Sequence, residues 1–130
     1  MEEVQPDRNG QTMGERYRIT STLGGGAMAS VYRGLDLRHN TEVAIKILKD
    51  EIKDRSSYRD RFEREVLITS KVNHPRCIHK LDFGLSGDGL PYQVMELVPG
   101  GSLADLLDAV ESLPPPRALK IFEQLLHALA

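Results

Sequence analysis

The chain has 130 residues, of which 40% are hydrophobic and 28% are charged, and its formal net charge is −2. This composition is typical of a globular domain, and the slightly acidic balance argues against a nucleic-acid partner or an anionic membrane surface. The single cysteine, Cys77, excludes an internal disulfide, so we expect a reducing, cytoplasmic location. Its apolar runs are far shorter than the roughly 20 residues of a membrane-spanning helix, so we expect no membrane segment in this chain.

Three strands are predicted in the first part of the chain. Residues 1–14 are polar and contain proline and glycine, and we interpret them as a flexible leader. The β-rich segments 17–23, 30–35 and 41–48 predict strands. The glycines at 24–26 predict the turn between the first two strands.

A helix is predicted to follow the third strand. Ser57 and Asp60 have the spacing of a capping box, and the apolar residues after them recur every three or four positions, as on one face of a helix. These apolar-face positions are Tyr58, Phe62, Val66 and Thr69. His74 precedes Pro75, and the residue before a proline avoids helical backbone, so the helix ends before this point.

Two further strands and two further helices are predicted in the rest of the chain. Residues 78–85 and 90–98 predict strands joined by a hairpin at 87–89. Ser102 predicts the cap of a short helix, and the prolines at 114–116 begin a last one. The last helix carries an apolar stripe that needs a partner surface, formed by Ala118, Ile121, Phe122, Leu125, Leu126 and Leu129.

Four short motifs follow one another along these elements. The glycine loop at 24–26 would let backbone N–H groups approach phosphate oxygens closely. A lysine, Lys46, ends the apolar Val-Ala-Ile-Lys strand, and Glu65 lies on the predicted helix face. At 95–103, an apolar strand runs through a glycine break into a helix. Taken singly, each motif also fits a purely structural interpretation: a glycine hairpin, an exposed lysine, a solvated glutamate, and a strand–loop–helix connection.

Taken together and in this order, the motifs resemble the eukaryotic-type protein kinase superfamily, in particular its bacterial serine/threonine kinases. The resemblance covers residues 17–130. It implies an α+β fold in which residues 15–98 form a kinase N-lobe and hinge, with a five-stranded antiparallel sheet and one regulatory helix. Residues 99–130 would then be the first helices of an incomplete helical C-lobe, truncated at the end of this chain.

The resemblance also implies an ATP site and the roles of its residues. Lys46 would contact the α- and β-phosphates and pair with Glu65. These two residues are the catalytic residues that this chain would supply. Met95 resembles the gatekeeper behind the adenine, and the backbones of Glu96 and Val98 would bond the adenine edge. The full set implied to bind ATP is Leu23, Gly24, Gly25, Gly26, Val31, Ala44, Lys46, Met95, Glu96, Val98 and Ser102.

The sequence departs from the family pattern in three respects. Ala29 stands where a third glycine is usual, which would restrict the tip of the glycine loop. Residues 82–84 spell the Asp-Phe-Gly tripeptide that holds Mg²⁺ in kinases, but they precede the hinge and lie within a strand, so we interpret them as unrelated to that site. The catalytic loop and the activation loop are absent from the sequence. The Mg²⁺ expected for the full-length kinase therefore has no ligands in this chain, and we expect the chain to be inactive alone.

Three classes of function were compared. The leading hypothesis is an ATP-dependent serine/threonine kinase that transfers the γ-phosphoryl group to a protein substrate bound by the missing C-lobe. The alternative is a non-catalytic module, a truncated or pseudokinase lobe that binds a nucleotide or docks onto a partner. A dinucleotide-binding oxidoreductase is disfavoured because its fingerprint requires a helix directly after the glycine loop, whereas Val31 and Tyr32 begin a strand.

Overall fold

The computed structural model describes residues 7–49, 56–69, 71, 74–100, 103–109 and 113–129. Within these residues the chain forms six strands and three helices. They are β1 (Thr12–Met13), β2 (Tyr17–Gly25), β3 (Ala29–Asp36), β4 (Thr41–Leu48), α1 (Ser56–Thr69), β5 (Lys80–Leu85), β6 (Pro91–Glu96), α2 (Leu103–Ala109) and α3 (Pro115–Leu129). All five predicted strands and all three predicted helices are present, with ends that differ by a few residues.

The strands form one antiparallel sheet in the order β1-β2-β3-β4-β6-β5. The last strand in the chain, β6, lies between β4 and β5 and pairs with both. Although β2 and β5 are separated by three strands, the Tyr17 hydroxyl of β2 donates a hydrogen bond of 2.8 Å to Asp82 of β5. The sheet must therefore curl strongly, which brings these two strands together across its concave face.

A two-residue strand, β1, raises the number of strands from the predicted five to six. Met13 pairs with Tyr17 and is only 1% exposed, because it joins the apolar core inside the curl. The backbone of Ile19 extends this edge by donating a hydrogen bond to the Gln11 carbonyl. The last residues of the predicted leader thus belong to the sheet, and residues 1–6 lie outside the described residues. The predicted domain boundaries stay a prediction.

The two faces of the sheet are covered differently, as the alternation along β4 shows. Val43, Ile45 and Ile47 point into the core inside the curl. Leu48 lies on the opposite face, where α1 packs through Phe62. The inner core consists of Met13, Tyr17, Ile19, Tyr32, Val43, Ile45, Ile47, Leu90, Tyr92 and Val94. Because side chains alternate along a strand, Lys46 lies on the same face as α1.

The helix α1 begins at Ser56, one residue before the predicted cap. Ser57 therefore lies inside the first turn, and the first turn contains no acidic residue, so the predicted capping box is wrong in its position. The predicted apolar face is confirmed at Phe62 and Val66, which are 4% and 5% exposed. Tyr58 packs, partly buried, against the same cluster.

The chain divides into two compact units, residues 1–72 with 79–97, and residues 73–78 with 98–130. The second unit contains α2 and α3, and none of the described residues of α3 is buried. Phe122 and Leu125 of the predicted stripe are more than half exposed. The predicted cap at Ser102 lies outside the described residues. Of the helices that the structure describes, none has the length and apolar character needed to cross a membrane.

Candidate functional site

Two adjacent rows of side chains lie on the face of the sheet that α1 covers. One row runs across four strands through Val31, Lys46, Gln93 and Phe83, which are partners in the strand register. The next row contains Ala44, Met95 and Lys80. Residues paired directly across antiparallel strands point to the same face, as do residues two apart along one strand. The register therefore places Val31, Ala44, Lys46 and Met95 on one face.

An ion pair joins β4 to α1 above this face. The Lys46 Nζ lies 3.6 Å from the Glu65 Oε1, and the two side chains are 29% and 54% exposed. The same ammonium lies 5.8 Å from the centroid of the Phe62 ring. The helix is held in place by the packing of Phe62 and Val66 against Leu48 and Ala29. The pair that the sequence suggested is thus formed, but it is long and open to solvent.

The predicted glycine loop is the β2–β3 turn. Gly24 and Gly25 both have a φ of 152°, a backbone region that side-chain-bearing residues rarely adopt. The Gly26 N–H donates a hydrogen bond of 2.9 Å to the Ala29 carbonyl and so closes the turn. Gly24 pairs with Val31, and Leu23 before it is 46% exposed. Glycine is therefore required at 24 and 25 by the backbone itself, whatever binds there.

Ala29 has a packing role that the sequence did not reveal. It begins β3 and is 6% exposed, in a cluster with Leu48, Phe62 and Val66. Its methyl group therefore packs between the sheet and α1. Ala29 does not sit at the tip of the glycine loop, where we expected it to restrict the backbone.

The hinge residues fall on both sides of a boundary between the two units. The Glu96 N–H donates a hydrogen bond of 3.0 Å to the His79 carbonyl, and the Glu96 Oε2 lies 3.5 Å from the His79 Nδ1. Val98 is 55% exposed and belongs to the second unit. Ser102 lies outside the described residues. The Glu96 N–H is thus engaged within the first unit and does not serve the predicted bond to a ligand.

The Asp82-Phe83-Gly84 tripeptide lies in β5, and its carboxylate is engaged within the sheet. One Asp82 oxygen accepts the Tyr17 hydroxyl at 2.8 Å, and the other accepts the Phe83 N–H at 2.8 Å. Burial, reinforced by the bond to Asp82, raises the pKa of Tyr17. Gly84 is needed because a Cβ there would lie 2.8 Å from the Tyr92 hydroxyl. In the part of the chain that the structure describes, no group of three or more His, Cys, Asp or Glu side chains is suited to holding a metal ion.

Two polar residues of this face were not singled out from the sequence. Gln93 is 2% exposed, and its Nε2 has no hydrogen-bond partner among the described residues. Lys80 is half-buried, with its Nζ 3.9 Å from the Met95 Sδ. Burial lowers the pKa of Lys80, the charge of Lys46 lowers it further, and Glu65 opposes the shift. Gln93 could have been noticed in the sequence as a polar residue within an otherwise apolar strand.

A second charged cluster lies away from this face, at the end of β3. The Arg16 guanidinium donates two hydrogen bonds of 2.9 Å to the two oxygens of Asp36. The His39 Nδ1 lies 3.0 Å from the same carboxylate, and the Arg38 N–H donates to it at 3.0 Å. Asp36 is only 4% exposed. The bond from Arg16, followed by the one to His39, holds the pKa of Asp36 well below its usual range.

Comparison with known proteins places this arrangement in a family. The model of the protein kinase domain matches residues 17–130. The serine/threonine-protein kinase PrkC of Bacillus subtilis is 38% identical over 121 residues, which are 93% of this chain and 18% of that protein. The serine/threonine-protein kinase pkn2 of Myxococcus xanthus is 40% identical over 115 residues, which are 88% of this chain and 14% of that protein.

Solved structures agree with the sequence comparison. The crystal structure of the Mycobacterium tuberculosis PknI kinase domain matches with a TM-score of 0.76 and 26% identity, over 96% of this chain and 51% of that chain. The predicted fold class is thereby confirmed as a kinase-like N-lobe with the start of a helical C-lobe. This chain spans less than a fifth of the two curated relatives and about half of the solved kinase domain. Since the family model covers most of its length, the chain belongs to the protein kinase family.

Proposed function

We propose that this chain supplies the ATP-binding part of a serine/threonine protein kinase. The observation that carries the proposal is the Lys46–Glu65 pair at 3.6 Å, on the sheet face that also holds Val31, Ala44 and Met95. A lysine held by a glutamate above an apolar floor suits a ligand with an anionic end and a flat apolar end. A nucleoside triphosphate has both.

Each part of the site then has a separate task. The glycine loop at 24–26 covers the phosphates, and Lys46 binds the α- and β-phosphates while Glu65 keeps its side chain extended. Val31 and Ala44 contact the faces of the adenine, and Met95 lies behind it. The adenine edge is bound by the Glu96 carbonyl and by the backbone of Val98, with Ser102 near the ribose. Leu23 borders the entrance before the loop.

The whole protein would use this site to transfer the γ-phosphoryl group of ATP to serine or threonine hydroxyls of a protein substrate. The relatives named above are serine/threonine-protein kinases, which supports this reaction class. When bound, Mg²⁺ would neutralise the phosphate charge that develops during transfer. Glu65 already pairs with Lys46 and Asp82 is engaged within the sheet, so these carboxylates do not fit a metal site. The metal ligands and the catalytic base would come from outside this chain, which alone would have no transfer activity.

The replacement Lys46→Met tests the proposal. It removes the charge and keeps the length of the side chain, so the affinity for ATP in the whole protein should fall at least about 10-fold, the loss expected for one charge-assisted bond. Phosphoryl transfer should fall further, by about 100-fold or more, because electrostatic stabilisation is strongest in the transition state. Both are measured on the purified protein, by isothermal titration calorimetry and by phosphate incorporation into a protein substrate.

The matched control is Lys71→Met, which removes an exposed lysine from the same unit. It should leave both quantities unchanged. Equal ATP affinity in the Lys46→Met variant and the unmodified protein would contradict the proposed phosphate contact. ATP binding without any phosphoryl transfer by the whole protein would instead support the alternative, a non-catalytic nucleotide-binding module.

A further inference from the structure

Lys80 occupies an unexpected place for a lysine. It is the first residue of β5 and pairs with Met95, which on its other side pairs with Ala44. Its ammonium lies 3.9 Å from the Met95 sulfur. The side chain therefore turns towards β6 and the face of the sheet that carries Lys46. It does not extend freely into the solvent at the edge of the sheet.

The charges on this face do not balance. Among the described residues, the charges that act on Lys80 are the ammonium of Lys46 and the carboxylate of Glu65, and this carboxylate already pairs with Lys46. In the described part of the chain, the polar contact of Lys80 is the Met95 thioether, which is a weak acceptor. One positive charge is thus left over beside the Lys46–Glu65 pair. A partly buried excess charge of this kind favours a ligand of the opposite sign.

Gln93 adds a second, independent observation. It lies directly opposite Lys46 in the register of β4 and β6 and is 2% exposed. Its Nε2 has no partner among the described residues. A buried donor without an acceptor is costly, and native proteins keep few of them. Hydrogen-bond donors therefore exceed acceptors on this face, in agreement with the excess of positive charge.

We propose that Lys80 is a second cation of the nucleotide site, which raises the affinity in proportion to the negative charge of the bound nucleotide. The inference rests on the proposed ATP-binding function. Lys80 is a positioning residue, because it acts through its field on the phosphates and on the Lys46–Glu65 pair and touches none of the reacting atoms. Its effect should therefore depend on ligand charge and be absent for the uncharged nucleoside.

The charge dependence is measured by titrating the whole protein and its Lys80→Met variant with MgATP, MgADP and adenosine. Removal of one unit charge near the phosphates should lower the MgATP affinity by about 3-fold to about 30-fold, depending on the local dielectric constant. The loss should be smaller for MgADP, and adenosine should bind both proteins equally. Added salt should narrow the difference, since ions screen such a field.

Two further variants separate charge from shape. Lys80→Arg keeps the positive charge and should restore the affinity for MgATP. Arg18→Met removes an exposed cation from β2 and should change nothing. Adenosine binding also shows that each variant is folded.

Three results would overturn the inference. Unchanged MgATP affinity in Lys80→Met would show that the charge of Lys80 does not contribute to nucleotide binding. An equal loss for adenosine would show that Lys80 acts by its shape. An unmodified protein that binds neither MgATP nor adenosine would overturn the proposed function itself, and this inference with it.

Discussion

Two clusters in this molecule each combine two basic groups with one carboxylate, but their geometry is very different. In the first, Arg16 and His39 surround Asp36 at 2.9 to 3.0 Å, and the carboxylate side chain is 6% exposed. In the second, the Lys46–Glu65 pair spans 3.6 Å and its carboxylate is 54% exposed. The first also uses a backbone N–H, whereas the second includes Lys80 without a close carboxylate.

The difference distinguishes a structural cluster from the proposed binding site. Both oxygens of Asp36 are occupied, so this cluster has no capacity left for a ligand, and its charges fix the end of β3. Around Glu65, the donors are in excess and partly open to solvent. Donors without acceptors lower the stability of the unliganded protein, and functional sites often contain such groups. Substitutions in the first cluster should therefore affect folding, and those in the second should affect binding.

The replacement Asp36→Asn should have the largest effect on stability. It removes the charge from a buried carboxylate that accepts two bonds from Arg16 and one from a backbone N–H and lies 3.0 Å from the His39 Nδ1, so we expect the free energy of unfolding to fall by about 2–3 kcal/mol. The measurement is urea denaturation of the whole protein, followed by circular dichroism.

The matched variant Glu65→Gln should give the reverse pattern. Its exposed ion pair contributes little to folding, so the free energy of unfolding should change by less than about 0.5 kcal/mol. The affinity for ATP should fall, because Lys46 loses the group that keeps it extended. Equal destabilisation by the two variants would contradict the contrast between the clusters.

Loss of the hydrogen bond between Tyr17 and Asp82 should have the next largest effect on stability. Tyr17→Phe removes the hydroxyl that donates to Asp82 across the curl, and we expect a loss of about 1–2 kcal/mol in the free energy of unfolding. Tyr92→Phe is the control, since the structure gives its hydroxyl no hydrogen bond among the described residues, and it should cost less than about 0.5 kcal/mol. A similar loss in both variants would show that ring packing, and not the hydrogen bond, is responsible.

The pH dependence of stability should follow from the same groups. The pKa of Asp36 is lowered, so its contribution is fully present above the unfolded pKa of about 4 and is lost as the pH falls through the lower folded value. The pKa values of Tyr17 and Tyr92 are raised, mainly by burial, so their contribution is present below about pH 10 and is lost as the pH rises further. Denaturation measured between pH 3 and 11 should show the onset of the acid loss below about pH 4 and of the alkaline loss above about pH 10. Asp36→Asn should flatten the acid limb alone.

Gln93→Met should have a small effect on stability, of the opposite sign. Methionine fills a similar volume and removes the unpaired Nε2, so the free energy of unfolding should stay constant or rise by up to about 1 kcal/mol. The same denaturation experiment measures it. A fall of more than about 1 kcal/mol would show that the amide has a partner that stabilises the fold.

The strands and helices were largely predictable because their signals are local. Alternation of apolar residues, such as Val43, Ile45 and Ile47, identifies a strand within a few residues. The strand β1 was not predictable, since two residues show no periodicity and its pairing with β2 depends on the tertiary fold. The cap of α1 was predicted at Ser57, which lies inside the observed first turn, because capping residues occur both before and inside a first turn.

The residues of the proposed site were predictable only where a motif marks them. Lys46 and Glu65 were found because their order resembles that of a known family, and the structure brings them within 3.6 Å. Lys80 and Gln93 belong to no motif, and their places depend on strand register, including an irregularity between Lys80 and Asp82. The role of Ala29 depends on how α1 packs, which no local pattern specifies.

The strand order also affects how this protein is made. During synthesis β4 emerges early, but its second neighbour, β6, emerges only after α1 and β5. Until then one edge of β4, the strand that bears Val43, Ile45 and Ile47, has unpaired backbone N–H and C=O groups. Unpaired edges of this kind can form hydrogen bonds with strands of other chains. The chain must therefore be synthesised as far as Glu96 before β6 can pair with β4. The sheet of the first unit cannot be completed while the nascent chain is shorter than this. The nascent chain most needs chaperone protection in that interval.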